Sequence, residues 1–237
     1  MTELAVVVLV SWLAGVATFA GGVIAKMEGS PDTPAKREMV HAIVAFGGGI
    51  LVAAVAFALA PKAIRYLSPV MIAVTFAGGG LAFSLFDVWM SRRNGSRAQF
   101  MAMLMDFVPE ALAMGAVFAH DHGLGVLLAV FIGAQNLPEG FNAYREIISS
   151  GATVRGTLTG LLAISLLGPA ASSLGYLFLQ NHQELTAGIM SFAAGGIMYL
   201  IFQDIAPQSR MRKHWKPTLG AVLGFAVGMI ASQVIGR

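Results

Sequence analysis

The chain has 237 residues, 57% of them hydrophobic and only 11% charged, with a mean hydropathy of +0.74. A soluble domain carries about 25% charged residues, so this sequence cannot cover itself with polar surface, and lipid is the solvent that suits it. The net charge of +3 and the pI near 9.4 do not indicate a nucleic-acid partner, because the basic residues sit in short loops rather than on one face or tail; zero cysteines exclude disulfides and thiolate metal ligands.

The N-terminal stretch MTELAVVVLVSWLAGVATFAGGVIA lacks a basic leader and is long enough to cross a bilayer, so it reads as a first transmembrane helix near 4–25 and not as a cleaved signal. Further apolar runs of about 20 residues predict helices near 40–60, 69–90, 100–119, 124–144, 156–179, 185–206 and 217–235. The longest loop, KMEGSPDTPAKRE (26–38), has turn chemistry throughout, and no polar stretch is long enough to form a separate soluble domain. The expectation is an all-α polytopic membrane protein, one transmembrane domain over 1–237. Of the fifteen Lys and Arg, twelve fall in or beside the loops after helices one, three, five and seven; only Lys62, Arg65 and Arg237 lie on the other side. The positive-inside bias then puts both termini outside the cytoplasm.

FGGGILVAAVAFALAP (46–61) aligns without gaps on FAAGGIMYLIFQDIAP (192–207), sharing Phe46/Phe192, Gly49/Gly195, Ala60/Ala206 and Pro61/Pro207. Helices two and seven run in opposite directions under this topology, as inverted repeats of secondary transporters do. Chance likeness between Gly/Ala-rich helices is the alternative.

Five acids fall inside the predicted spans: Asp87, Asp106, Glu110, Glu139 and Asp204. A charge at the centre of a membrane helix costs roughly 2.5–3.5 kcal/mol on insertion scales, so each is a functional candidate. Helix four reads DFVPE (106–110) and helix five QNLPE (135–139). Both have a polar residue and a Glu at i and i+4 on one helical face, with a proline that removes a backbone N–H and crowds the carbonyl four residues earlier. If the faces meet, Asp106, Glu110, Gln135 and Glu139 form an oxygen-rich cage with three formal negative charges. Such a cage calls for a divalent cation or for protons. The alternative is a set of protonated or paired structural acids between helices.

QNLPEG after an apolar run resembles the fifth-helix motif of the ZIP (Zrt-, Irt-like protein) family of divalent metal transporters, and FAAGGIMYLIFQDIAP resembles that family's seventh helix. The resemblance covers essentially the whole chain and includes the helix count and orientation. It implies eight helices arranged as three, two and three with inverted repeats, a mid-membrane metal site on helices four and five, and helices one, four, five and six moving as a unit. The family's fourth-helix motif is usually His-Asn-x-Pro-Glu-Gly. Here Asp106 stands for the His, Phe107 for the Asn, Glu110 for the Glu and Ala111 for the Gly. Gln135 and Glu139 match primary ligands, and Asn136 falls where a secondary ligand sits; Asp204 is the seventh-helix acid that a second site would use. Because Phe107 cannot coordinate, the expectation is one well-formed site and at most a degraded second one. A carboxylate in place of imidazole makes the site harder, favouring manganese or iron(II) without excluding zinc.

His120, Asp121 and His122 form an outer turn that either captures metal at the mouth or is simply solvated, and His182 is a weaker candidate of the same kind. Asp87 in FDVWMSRR reads as an interfacial partner of Arg92 or Arg93, Glu146 as a solvated boundary charge, and the helix-four methionines Met101, Met103, Met105 and Met114 as packing. The short loop SRRNGSRAQ (91–99) lacks the histidine-rich insertion of many eukaryotic relatives, which points to a small prokaryotic-type member in an inner (plasma) membrane.

The expected function is import of a divalent transition metal, as transported substrate and not as catalytic cofactor, with the bilayer as partner and a homodimer as candidate assembly. A membrane-embedded metal-dependent hydrolase is the second reading. It lacks an H-E-x-x-H or G-x-S-x-G motif and has no His within a span except His41 at a helix end. A non-transporting metal sensor is the third.

Overall fold

The computed structural model describes residues 2–29, 33–91, 96–210 and 214–235. Among these residues the chain forms eight long helices and no β-strand: α1 (Glu3–Glu28), α2 (Pro34–Tyr66), α3 (Pro69–Ser91), α4 (Ser96–Phe118), α5 (His122–Ser149), α6 (Val154–Leu179), α7 (Gln183–Ser209) and α8 (Lys216–Ile235). Seven of them are long and apolar enough to cross a membrane; α4, which carries two of the central acids, has a similar length of 23 residues. All eight correspond to predicted spans. Several extend further, notably α2 beyond 40–60 and α5 beyond 124–144, because caps and not hydropathy set their ends. Thr33 accepts from the Lys36 amide with Pro34 in the first turn, and Asp121 accepts from the Leu124 amide. Gly29, at φ 76°, takes a positive-φ conformation open to glycine, and its amide closes α1 on the Ala25 carbonyl.

The helices pack in two sets of four. In one, α1 lies on α5 and α6, and α4 lies on α5 and α6; in the other, α2 lies on α8 and α7, and α7 on α3. The sets meet where α2 crosses α5 and α4 crosses α7. Of the seven spans, α5 is the most buried and α3 the least. Along α3, Val70, Val74, Leu81, Leu85 and Val88 all face outward, an arrangement suited to lipid rather than water. The fold is that of an integral membrane protein.

Four crossings share one device. Between α1 and α5 the Thr18 carbonyl faces Gly140 and the Leu137 carbonyl faces Gly21; between α4 and α6 Leu112 faces Gly175 and Ser172 faces Gly115. Between α2 and α8 Phe46 faces Gly224 and Ala221 faces Gly49; between α3 and α7 Phe76 faces Gly195 and Phe192 faces Gly79. In each helix the carbonyl residue precedes its glycine by three positions, and a Cβ at any of the eight glycines would collide with the facing carbonyl. Without a hydrophobic drive between helices in lipid, such backbone-close packing is what holds them together.

The aligned stretches 46–61 and 192–207 share more than letters. Each widens into a π turn, Val55–Leu59 in α2 and Ile201–Ile205 in α7, immediately before Ala-Pro. The amides of Ala60 and Ala206 reach back five residues to Val55 and Ile201. In both, a proline follows whose ring crowds the carbonyl four residues earlier, a clash that a wider turn accommodates; α6 has a further π turn, Gly175–Leu179, with no proline after it. Both stretches also use Phe and Gly at the same two positions to seat a neighbouring helix, α8 in one case and α3 in the other.

Candidate metal site

Three of the four sequence-predicted side chains come together at the α4–α5 crossing. Asp106, Glu110 and Gln135 are 5%, 2% and 0% exposed. The Gln135 amide nitrogen donates to Glu110 Oε2 at 2.6 Å and, more weakly, to Asp106 Oδ2 at 3.4 Å. Asp106 Oδ1 and Gln135 Oε1 are buried with no hydrogen-bond partner. Two orphaned oxygens in one buried cluster are a marked deficit, because each unmatched polar atom costs on the order of 1–3 kcal/mol. Glu139, one turn along α5 and half-buried, is close enough for its charge to repel those of Asp106 and Glu110. The cluster therefore has excess acceptor oxygen, with a single amide as donor. Among the described residues no three of His, Asp and Glu converge at metal-binding separation; the pair of acids is completed by an amide, not by a third acid.

The remaining candidates are engaged elsewhere. Asn136, buried, donates to the Ala14 carbonyl at 3.0 Å and ties α5 to α1. Phe107 is buried with its ring in the notch between Gly15 of α1 and Gly168 of α6, so its side chain serves the packing of its own helix set. Asp204 sits half-buried in the π turn of α7, within electrostatic range of Asp87 and Glu146. The turn 120–122 does not gather into one cluster: His120 Nε2 bonds the Gln180 carbonyl, Asp121 caps α5, and His122 lies 3.5 Å from Glu3. His182 stands at the start of α7 without a side-chain cap bond. Met103 and Met114 are buried in the core, in keeping with packing.

One sequence reading is corrected. Glu146 is not a free boundary charge: it lies inside α5, half-buried, and accepts from Asn142 at 2.9 Å. Asp87 accepts from the Tyr199 hydroxyl at 2.9 Å, a partner brought by α7; Arg92 and Arg93 lie outside the described residues. Sequence reasoning also passed over a polar stripe. Gln135, Glu139, Asn142 and Glu146 recur every three or four residues on one face of α5, and Asn142 reaches Gln208 of α7 at 3.2 Å. Its periodicity was visible in QNLPEGFNAYRE. Also unanticipated is the linkage of α1, α5 and α2 through Glu28, which takes Arg145 at 2.5 Å and Lys36 at 3.6 Å.

Fold and site together define an all-helical integral membrane protein, over the described residues, with a buried carboxylate–amide cluster at the meeting of two proline-containing helices. Among curated proteins it is similar to one named zinc transporter GufA, from Myxococcus xanthus, with 30% identity over 145 residues. That alignment covers 60% of this chain and 57% of the relative, so the chain matches little more than half of the relative's length. No family model matches the chain.

Proposed function

We propose that the protein carries a divalent transition-metal ion across the membrane, with Asp106, Glu110, Gln135 and Glu139 as the binding groups. The observation that carries this reading is the pair of unpartnered buried oxygens, Asp106 Oδ1 and Gln135 Oε1, beside the repelling carboxylates. A dication supplies what the cluster lacks: positive charge and an acceptor for several oxygens at once. Rotation of the Gln135 amide turns Oε1 toward the carboxylates and moves the NH2 group aside, so the residue serves both the empty and the occupied site. The transporter name of the relative supports the same class of activity.

The transport cycle follows from the two helix sets. The cluster belongs to the α1–α4–α5–α6 set, and the α2–α5 and α4–α7 contacts form the seam along which that set moves to expose the cluster to either side. The matching π turns and the four reciprocal glycine crossings support an inverted repeat that relates α1–α3 to α6–α8, with α4 and α5 between. The α5 stripe through Asn142 and Glu146, with Asp204 opposite, gives the ion a polar path from Glu139 to the Glu28 end. By the positive-inside bias that end is cytoplasmic and both termini are outside, in a prokaryotic plasma membrane.

Uptake of manganese, iron(II), zinc and cadmium into proteoliposomes tests the proposal, with Glu139→Ala as control. Saturable flux that the control lacks supports it. Metal binding without flux would make the protein a sensor, and metal-dependent cleavage of a peptide or lipid would make it a hydrolase.

A further inference from the structure

At the end of the bundle opposite Glu28, a cavity of about 770 Å3 opens in the seam between the two helix sets. Val108, Pro109 and Leu112 of α4 wall one side, and Ile189 and Phe192 of α7 the other. Tyr66, at the end of α2, and Glu184, in the first turn of α7, line it where the helices end. The walls are mainly apolar, with Ser68, Thr75, Tyr66 and Glu184 as the polar groups among the lining residues, a lining suited to an apolar chain with a polar end. The volume lies within the range of about 300–1,000 Å3 typical of small-ligand sites.

A second observation concerns charge. Lys62 Nζ stands 4.8 Å and Arg65 Cζ 5.5 Å from the centroid of the Tyr66 ring, two cations on the ring that lines the cavity. Neither makes an ion pair among the described residues. They are also two of only three basic residues that the sequence puts on this side, so general membrane topology does not explain their presence. Leu185 on the cavity wall is 55% exposed and Val70, near the start of α3, is 71% exposed, apolar surface suited to acyl chains.

We infer that this cavity binds an anionic glycerophospholipid, an acyl chain between α4 and α7 and the phosphate on Lys62 and Arg65. Glu184, the one acid lining the cavity, leaves the two cations in excess and can accept from a headgroup hydroxyl, as in phosphatidylglycerol. The apolar depth selects a chain and the basic pair selects its headgroup; neither feature alone would define the ligand. Because Pro109 adjoins Glu110, a chain lodged here braces α4 against α7 across the seam. That mechanical consequence rests on the transport reading, whereas lipid binding does not.

The test is retention of added phosphatidylglycerol, phosphatidylethanolamine and phosphatidylcholine by the detergent-purified full chain, read by native mass spectrometry. Phosphatidylglycerol should be retained in preference to phosphatidylcholine, and the Lys62→Ala/Arg65→Ala double variant should bind it about thirtyfold more weakly. Gly188→Leu, on the cavity wall, should exclude all three lipids; a Cβ there meets only Thr75 Cγ2, at 4.0 Å, so the helix tolerates it. Glycerol phosphate, which has the headgroup anion without chains, should not compete. Equal retention of phosphatidylglycerol and phosphatidylcholine by the unmodified protein overturns the inference, as does undiminished retention by folded Gly188→Leu or competition by glycerol phosphate. Metal uptake measured in parallel separates the two ideas: lipid preference without uptake sinks transport alone, and uptake without lipid preference sinks the lipid site alone.

Discussion

Gln135 of α5 donates its amide to Glu110 of α4 at 2.6 Å, and both side chains are almost wholly removed from solvent. A neutral donor thus sits beside a buried carboxylate. The arrangement gives Gln135 an importance that its uncharged side chain conceals. Gln135→Leu removes the donor and leaves Glu110 Oε2 unmatched, a cost of about 1–3 kcal/mol, while also removing the unpartnered Gln135 Oε1. The metal-free variant should melt earlier in detergent than the parent protein; an unchanged melting temperature would mean that the bond contributes no more than the orphaned oxygen costs.

Metal itself should stabilise the protein. A ligand that binds only the folded state at a hundred times its Kd adds about 2.7 kcal/mol. Titration of manganese, iron(II) or zinc into the chelator-treated protein should raise the melting temperature progressively, and Glu110→Gln should flatten that response. A rise of equal size in the variant would place the bound metal elsewhere.

Glu139 extends the cluster toward the Glu28 end. Glu139→Ala should abolish most metal flux in proteoliposomes while membrane insertion and yield stay close to normal. Uptake at the parental rate would remove Glu139 from the pathway.

On the proposed reading, Asp106 sets selectivity. Carboxylate oxygen suits harder cations and imidazole suits zinc, so Asp106→His should move the competition profile toward zinc over manganese by several-fold. If the order of competing metals is the same in both proteins, Asp106 is not a ligand.

The glycine crossings make a prediction independent of function. A Cβ at Gly79 would strike the Phe192 carbonyl, whereas one at neighbouring Gly78 meets nothing within 4 Å. Gly79→Ala should cost about 1–3 kcal/mol by overpacking, and Gly78→Ala should be neutral. Comparable thermal stability of the two variants would contradict the packing of α3 on α7.

Much of this protein was legible in the chain alone. Hydropathy runs of membrane length marked the eight helices, because a bilayer accepts little else. The spacing of DFVPE and QNLPE fixed which face of each helix carries oxygen, because helical periodicity is local. The repeated Phe, Gly and Ala-Pro positions of 46–61 and 192–207 marked two stretches of like local structure, although the π turns themselves were not anticipated. What only the tertiary structure decided is who meets whom. Adjacent in sequence, Gln135 turns to Glu110 while Asn136 turns to the backbone of α1; Phe107 fills a notch between glycines; Tyr199 of α7 donates to Asp87. The reason is physical: spacing sets the direction of a side chain, but its partner depends on how closely two backbones approach. In lipid that approach is set by glycine-to-carbonyl fit across crossings far apart in sequence, a choice that a chain with 28 glycines leaves open until the helices are packed.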